Sequence, residues 1–338
     1  MSHLIHYGLD QHWLDEFENH SQETTLARVV RVDRGEFNAV TDSGIVRCTG
    51  SNTCTGDWVT LDPRPGQSFT LGAILPRRTA IERASAGSTS DTQVLGANVD
   101  TVVITVASDT ALDLGRVERY ITLAWGSGAV PVVAITKTDS GSVAEELLLA
   151  TAPGVTVCST SAVSDGGIDS LAAHLRGTVA LIGPSGSGKS TLANALLGGT
   201  AFATGATREA DGKGRHTTVH RELVPIPSTS LVLLDTPGLR SVGVQGSEDA
   251  VASAFSDIEE LAALCRFGDC SHEHEPGCAV LAAGELTERR LGNYRKLLRE
   301  NAWATSRHDA RARSEKLREY KQISKSLRQK YAVDGKGR

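Results

Sequence analysis

"LIGPSGSGKST", residues 181–191, is the stretch of sequence that decides the fold. It follows an apolar run, precedes a helix-forming segment from Lys189 to Leu197, and satisfies the pattern G-x-x-x-x-G-K-S of a phosphate-binding loop. Glycines let the backbone wrap closely around phosphates, and N–H groups at the start of a helix face an anion. We therefore expect phosphates to be bound by Gly183, Pro184, Ser185, Gly186, Ser187, Gly188, Lys189, Ser190 and Thr191.

The last residues of this loop carry the chemistry. Lys189 is expected to reach the β- and γ-phosphates, and the Ser190 hydroxyl is expected to ligate Mg²⁺. A later strand ends in "DTPGL", residues 235–239. There we expect Asp235 to hold the magnesium shell and the Gly238 N–H to sense the γ-phosphate. The loop alone does not choose between ATP and GTP.

The choice of base rests on "AITKTD", residues 134–139, which comes earlier in the chain than the phosphate loop. Asp139 is placed to accept two hydrogen bonds from the N1–H and exocyclic amine of guanine, a donor pair that adenine lacks at that edge. Hydrogen bonds to a charged group contribute about 1.5–3 kcal/mol each, which is enough to discriminate. Lys137 is expected to lie along the base and to brace the phosphate loop.

Two further features qualify the base-reading site. The motif usually begins with asparagine, whose amide ties the two loops together, but here it begins with Thr136. Threonine replaces only part of that tie, and losing one neutral hydrogen bond costs about 0.5–1.5 kcal/mol. We expect guanine selectivity with modest affinity. In "STSA", residues 159–162, Ser161 precedes Ala162, whose N–H is expected to meet the guanine O6.

The pattern of apolar runs predicts a multidomain protein. From about 90 to 240, apolar strands alternate with amphipathic helices, which is typical of a parallel sheet covered on both faces. Short β-rich runs separated by turn signals predict an all-β barrel of the oligonucleotide-binding (OB) type before it. The predicted domains are an N-terminal helical arm at 1–22, the OB-type barrel at 23–75, an α/β P-loop domain at 76–245 and a mainly α domain at 246–338.

Three cysteines and a histidine in the last domain have the spacing of metal ligands. Cys265, Cys270, His272 and Cys278 form the pattern C-x4-C-x-H-x5-C, with His274 as a rival ligand. Three sulfurs and one imidazole complete a tetrahedral Zn²⁺ shell with no open position for water. We therefore expect one structural zinc ion.

Composition and charge indicate where the protein acts and what kind of partner it binds. The chain has 338 residues, 22% of them charged, and no apolar run of the roughly 20 residues that a membrane span needs. Together with an N-terminus unlike a signal peptide, this predicts a cytoplasmic protein with no membrane partner, and the lack of an extended apolar surface helix favours a monomer. The formal net charge is −5, yet residues 294–338 hold 14 Lys and Arg against 5 Asp and Glu, a net +9. Such a basic tail indicates a polyanionic partner.

Taken together, the motifs resemble the RsgA (YjeQ) family of circularly permuted, small-subunit-dependent ribosomal GTPases. The resemblance covers essentially the whole chain, including "LGANVDTVVIT" at 95–105 and "GRHTT" at 214–218. It implies a central permuted P-loop GTPase domain, a zinc-binding C-terminal domain with His272 as the ligand, and a factor that hydrolyses GTP to GDP on the maturing small ribosomal subunit. The barrel, zinc segment and basic tail become candidates for contacting rRNA.

The resemblance also assigns the loop around 216. Thr218, or its neighbour Thr217, would be the switch threonine that ligates Mg²⁺ when GTP is bound. Many GTPases place a glutamine where this chain has Leu239, and an apolar side chain cannot orient the attacking water. His216 is then the candidate catalytic residue. Two alternatives stay open: a P-loop ATPase or small-molecule kinase, and an RNA-binding assembly factor that holds nucleotide but hydrolyses it negligibly.

Overall fold

The computed structural model describes residues 3–21, 23–66, 68–83, 93–140, 145–164, 166–199, 221–235, 247–284 and 286–306. The chain starts with a 3-10 turn, His3–Tyr7, and helix α1, Gln11–Glu18, whose N-cap Asp10 accepts a hydrogen bond from the Trp13 N–H. Trp13 is fully buried and stacks on Trp58 of the barrel, with ring centroids 5.5 Å apart. Helix α1 therefore packs on the barrel through Trp13.

Five strands form the predicted barrel. They are β1 (Thr25–Val32), β2 (Glu36–Thr41), β3 (Gly44–Thr49), β4 (Trp58–Arg64) and β5 (Ser68–Ile74). Their order is β1-β2-β3-β5-β4, and β4 pairs back with β1, so the sheet closes on itself. The β3–β5 pair is parallel and the other pairs are antiparallel, an arrangement that matches the expected OB-type barrel.

A central sheet follows the barrel, linked to it through a short ladder of β6 (Ala80–Arg83) and β7 (Gln93–Ala97). Its strands stand in the order β10-β9-β8-β11-β13-β12. All pair in parallel except β12, which is antiparallel to β13. The strands are β8 (Thr101–Ala107), β9 (Val130–Thr136), β10 (Thr156–Ser159), β11 (Thr178–Ile182), β12 (Glu222–Pro225) and β13 (Val232–Asp235).

Helices cover the faces of this sheet, as the alternating pattern predicts. Every residue of β8 and β11 is buried, which is why these strands are continuous runs of apolar and β-branched residues. The single pairing of Arg31 with Glu222 joins β12 to β1, so the described strands of barrel and central sheet form one eleven-stranded sheet. The helices are α2 (Leu114–Gly126), α3 (Glu145–Thr151), α4 (Ile168–His174) and α5 (Lys189–Leu197).

Arg28 fixes the barrel against the central sheet. Its side chain is fully buried and donates hydrogen bonds to the carbonyl oxygens of Tyr7, Gly56 and Asn98. It also donates to the Thr178 hydroxyl at the start of β11, 2.7 Å away. Burial lowers the pKa of Arg28 to about 10, which leaves it protonated at neutral pH. One buried cation therefore links the N-terminal arm, the barrel and the strand that leads to the phosphate loop.

The described C-terminal residues are mainly helical. The helices are α6 (Glu248–Ala254), α7 (Ser256–Ala262), α8 (Ala279–Ala283) and α9, which covers residues 288–306. Phe255, Tyr294 and Leu297 extend the hydrophobic core of the central sheet into this region. No helix in the described ranges is both long and apolar enough to cross a bilayer. The domain boundaries themselves stay predictions.

Candidate nucleotide and metal sites

The phosphate loop joins β11 to α5 at the carboxyl edge of the central sheet. Gly183 has a φ of +151°, and a Cβ there would lie 2.3 Å from the Thr105 hydroxyl, so no other residue fits. Gly188, at φ +80°, is the N-cap of α5. The Lys189 Nζ donates across the loop to the carbonyl oxygens of Gly183 and Pro184, at 2.9 and 2.6 Å. The lysine ammonium is therefore held against the backbone of the phosphate loop.

Ser187 braces the loop from inside. Its side chain is buried, and its Oγ lies 2.6 Å from the Thr105 Oγ1 and 2.9 Å from the Pro184 carbonyl oxygen. The Ser187 backbone N–H also donates to the Pro184 carbonyl oxygen, at 3.3 Å, so both its side chain and its backbone stabilise the turn of the loop. Ser185 and Gly186 are exposed at the tip of the loop. Ser190 and Thr191 lie in the first turn of α5, where backbone N–H groups favour an anion.

The base-reading loop meets the phosphate loop directly. Thr136 ends β9 and is buried, and its Oγ1 donates to the Ser187 carbonyl oxygen at 2.9 Å. Threonine therefore makes one of the ties expected of an asparagine at this position. The Lys137 Nζ pairs with the Asp109 carboxylate, 2.8 Å away, rather than bracing the phosphate loop as expected. Asp109 can reach Lys137 because it follows β8, which lies next to β9, the strand that leads into the base-reading loop.

Asp139 is held by two serines. The Ser161 Oγ donates to one carboxylate oxygen at 2.6 Å, and the Ser140 Oγ donates to the other at 2.8 Å. These hydrogen bonds, that from Ser161 foremost, lower the pKa of Asp139 below its usual value, so the group is an anion at neutral pH. Ser161 follows β10, the neighbour of β9, and Ala162 comes next on the same loop. The two base-reading motifs therefore converge.

Asp235 ends β13, which pairs in parallel with β11, and is half-buried. The carboxyl ends of β10, β9, β8, β11 and β13 thus bring Ser161, Asp139, Lys189 and Asp235 to one edge of the sheet. Ligands of open α/β sheets bind outside this edge. The predicted residues His216, Thr217, Thr218, Gly238 and Leu239 lie outside the described residues.

The cysteines and histidine of the C-terminal region have the spacing of a tetrahedral metal shell. The His272 Nδ1 lies 3.6 Å from the Cys265 Sγ and 3.4 Å from the Cys278 Sγ, and these two sulfurs are 3.9 Å apart. With Cys270, the four ligand atoms lie within 4.8 Å of one another. Zinc bonds of about 2.3 Å to sulfur and 2.0–2.1 Å to nitrogen place tetrahedral ligands about 3.5–3.8 Å apart. The donors therefore fit such an ion.

The loop that carries His272 is held by Glu275. Its carboxylate accepts hydrogen bonds from the Ser271 side chain and from the backbone N–H groups of Ser271, Glu273 and His274. The Ser271 hydroxyl foremost keeps the pKa of Glu275 well below its usual range. Burial lowers the pKa of His272, which favours the neutral, metal-binding imidazole. The His274 side chain is exposed and lies outside the four-residue cluster.

Sequence reasoning missed the residues that support these motifs, chiefly Thr105, Ser108, Asp109 and Ser140. Ser108 and Asp109 follow the buried strand "TVVITVA" directly, in the same way that Asp235 follows its own strand. Polar residues at the carboxyl end of a buried parallel strand are the signal that points to them.

A phosphate loop on β11 and a base-reading loop on β9, in contact but inverted along the chain, define a circularly permuted P-loop GTPase. Residues 74–245 match the family model described as RsgA GTPase. A relative from Streptomyces avermitilis, named small ribosomal subunit biogenesis GTPase RsgA, is 48% identical over 98% of this chain and 94% of its own length. A relative of the same name from Streptomyces coelicolor is 48% identical over 95% and 92%. The chain belongs to the RsgA GTPase family.

Two solved structures share the fold. The crystal structure of YjeQ from Thermotoga maritima superposes with a TM-score of 0.63 at 23% identity, covering 82% of this chain and 99% of that one. YloQ, described as a circularly permuted GTPase, gives 0.59 at 23% identity and covers 84% and 96%. As a GTPase of the P-loop class, the chain uses Mg²⁺ with its nucleotide.

Proposed function

We propose that this chain acts in late maturation of the small ribosomal subunit. It binds the subunit and its rRNA, hydrolyses GTP to GDP and phosphate with stimulation by the subunit, and is then released. The names of the Streptomyces relatives, which align over nearly the whole chain, support the choice of partner. The observation that supports the enzymatic part is the hydrogen bond of Thr136 to Ser187, because it joins the base-reading loop to the phosphate loop at one edge of the sheet.

Each residue at the carboxyl edge then has a role. Asp139 accepts from the N1–H and amine of guanine, and the Ala162 N–H donates to O6. Lys189 neutralises the β- and γ-phosphates, which is the main contribution of protein cations to phosphoryl transfer. Ser190, Thr218 and Asp235 would hold magnesium, which would supply further charge neutralisation, and the Gly238 N–H would sense the γ-phosphate.

His216 is the residue proposed to position the attacking water. The position after "DTPG" carries Leu239, which has no polar atom in its side chain to orient water. A histidine side chain has a donor or an acceptor nitrogen that can orient water. We therefore assign the positioning of the attacking water in the GTPase reaction to His216.

The zinc ion proposed for Cys265, Cys270, His272 and Cys278 is structural. Four protein ligands leave no position for water or substrate. The ion would fix the segment between α7 and α8, which has few regular elements to stabilise it. We place the protein in the cytoplasm as a monomer, with the barrel, the zinc segment and the basic tail as its rRNA-facing parts.

The test is GTP turnover with and without purified small ribosomal subunits. The proposal predicts that turnover rises several-fold or more with subunits and that His216→Ala abolishes this rise. His220→Ala is the matched control, since it removes a histidine four residues away and should keep the stimulation. Turnover that does not change when subunits are added would reject the proposed mechanism.

A further inference from the structure

Ser108 and Asp109, the two residues that follow β8, hold both the backbone and the side chain of Lys137 in the base-reading loop. The Ser108 N–H donates to the Thr136 carbonyl oxygen at 2.9 Å, and the Ser108 Oγ donates to the Lys137 carbonyl oxygen at 2.5 Å. The Lys137 Nζ lies 2.8 Å from a carboxylate oxygen of Asp109. Backbone and side chain of the lysine are therefore both fixed from the same short segment.

The backbone contacts hold a strained conformation. Lys137 has a φ of +59°, in the left-handed region that residues with a Cβ rarely adopt. Such a conformation persists only where neighbouring groups determine it. The two hydrogen bonds from Ser108 do so, because they fix the peptide carbonyls on either side of the Lys137 φ angle.

The side-chain contact sets the direction of the lysine. The side chains of Lys137 and Asp109 are 36% and 33% exposed, so the pair is neither buried nor fully solvated. Asp109 follows β8, which lies between β9 and β11. On the phosphate loop, the carbonyl oxygens of Gly183 and Pro184 accept hydrogen bonds from Lys189 rather than from Lys137. Asp109 thus supplies the anchor for the Lys137 ammonium.

We propose that Asp109, assisted by Ser108, is a positioning residue for guanine-nucleotide binding. It holds the Lys137 stem in the orientation that packs against the base, and so offsets the weaker loop-to-loop tie made by Thr136. The inference rests on the proposed function, because Lys137 matters only if the site binds a guanine nucleotide.

A positioning role and a purely electrostatic role of Asp109 predict opposite changes in nucleotide affinity when its carboxylate is removed. GDP and GTP are polyanions, so removal of a nearby carboxylate should strengthen their binding if Asp109 acts only through its charge. If Asp109 positions Lys137, its removal should weaken binding. A half-exposed ion pair of this kind corresponds to roughly a two- to fivefold change in Kd at low salt.

The experiment measures GDP and ADP affinity of the full chain by titration calorimetry at low salt, for wild type, Asp109→Asn, Asp109→Glu, Lys137→Met and the Asp109→Asn/Lys137→Met double variant. We expect Asp109→Asn to weaken GDP binding two- to fivefold, Asp109→Glu to restore part of it, and the effect to vanish in the Lys137→Met background. Glu36→Gln is the control, because it breaks an ion pair with Arg47 on the barrel and should change nothing.

The outcomes separate the two hypotheses. If wild type binds GDP no better than ADP, the proposed function fails whatever the variants do. If wild type prefers GDP but Asp109→Asn binds it equally or more tightly, the positioning role alone is wrong. A loss that persists with Lys137→Met would show that Asp109 acts on something other than the lysine and would also overturn the inference.

Discussion

At the scale of single residues, one hydroxyl connects the two nucleotide-binding loops. Thr136 donates to the Ser187 carbonyl oxygen from a buried position. Thr136→Val keeps the shape but leaves that carbonyl without this donor, which costs about 1–3 kcal/mol for a buried polar group. We expect GDP binding to weaken about 5- to 150-fold in titration calorimetry. Thr136→Ser, which keeps the hydroxyl, is the control, and an equal loss in both variants would contradict the role of the hydrogen bond.

The metal centre offers a test between two neighbouring histidines. His272 is buried with its Nδ1 among the cysteine sulfurs, whereas the His274 side chain is exposed. Since removal of a ligand opens a tetrahedral shell, His272→Ala should lower the bound zinc measured by atomic emission well below one equivalent. His274→Ala should retain one equivalent. The reverse pattern would show that the ligand is misassigned.

At the scale of secondary-structure elements, α2 and α9 are joined by a buried charge cluster. Glu118 of α2 is fully buried and accepts hydrogen bonds from Arg289, Arg290 and Asn293 of α9. Arg290 also reaches Asp257 of α7. Helix α2 begins five residues after Asp109, at the edge of the sheet where the proposed nucleotide site lies. The cluster therefore packs the C-terminal helices against a helix that starts at this edge.

This cluster should contribute strongly to stability. Glu118→Gln removes the carboxylate that pairs with the buried Arg290 and the partly exposed Arg289, and breaking a buried pair costs about 3–5 kcal/mol. The midpoint of urea unfolding, followed by circular dichroism, should fall accordingly. Glu300→Gln removes the half-exposed partner of Arg119 on the same two helices and should cost less than about 1 kcal/mol. Equal effects of the two variants would contradict the importance of burial.

At the scale of the whole molecule, charge is segregated along the chain. Residues 247–284, which hold the Cys/His cluster, contain eight Asp and Glu and one Arg, whereas residues 307–338 contain eleven Lys and Arg and four Asp and Glu. A polyanion such as rRNA should therefore be attracted by the tail more than by the zinc segment.

Deletion of residues 307–338 tests this asymmetry. Phosphate contacts release counterions, so the deletion should weaken binding to small subunits and flatten the dependence of log K on log salt between 50 and 200 mM. Removal of residues 334–338 alone, with a net charge of +1, is the control and should change little. An unchanged slope in the longer deletion would show that the tail does not contact phosphates.

The sequence was sufficient for features encoded in contiguous patterns. The phosphate loop, each buried strand of the central sheet and the Cys/His motif lie within stretches of at most 14 residues, so local pattern reveals them. The contacts of Arg28, Asp109 and Glu118 could not be predicted in this way. Glu118 and Arg289 are 171 positions apart, and a glutamate on a helix resembles a solvated residue until the fold buries it. Such contacts follow from tertiary packing rather than from local pattern.

The central claim is that Asp139 and Lys189, inverted along the chain, bind one guanine nucleotide. The most direct measurement compares the affinities of GDP, ADP and XDP for wild type and Asp139→Asn. Loss of two hydrogen bonds to a carboxylate, at about 1.5–3 kcal/mol each, predicts that wild type binds ADP at least about 100-fold more weakly than GDP. Asp139→Asn should prefer XDP, because its amide can donate to the xanthine O2 and accept from N1–H. Equal affinity of wild type for GDP and ADP, or an Asp139→Asn variant that still prefers GDP, would contradict the account.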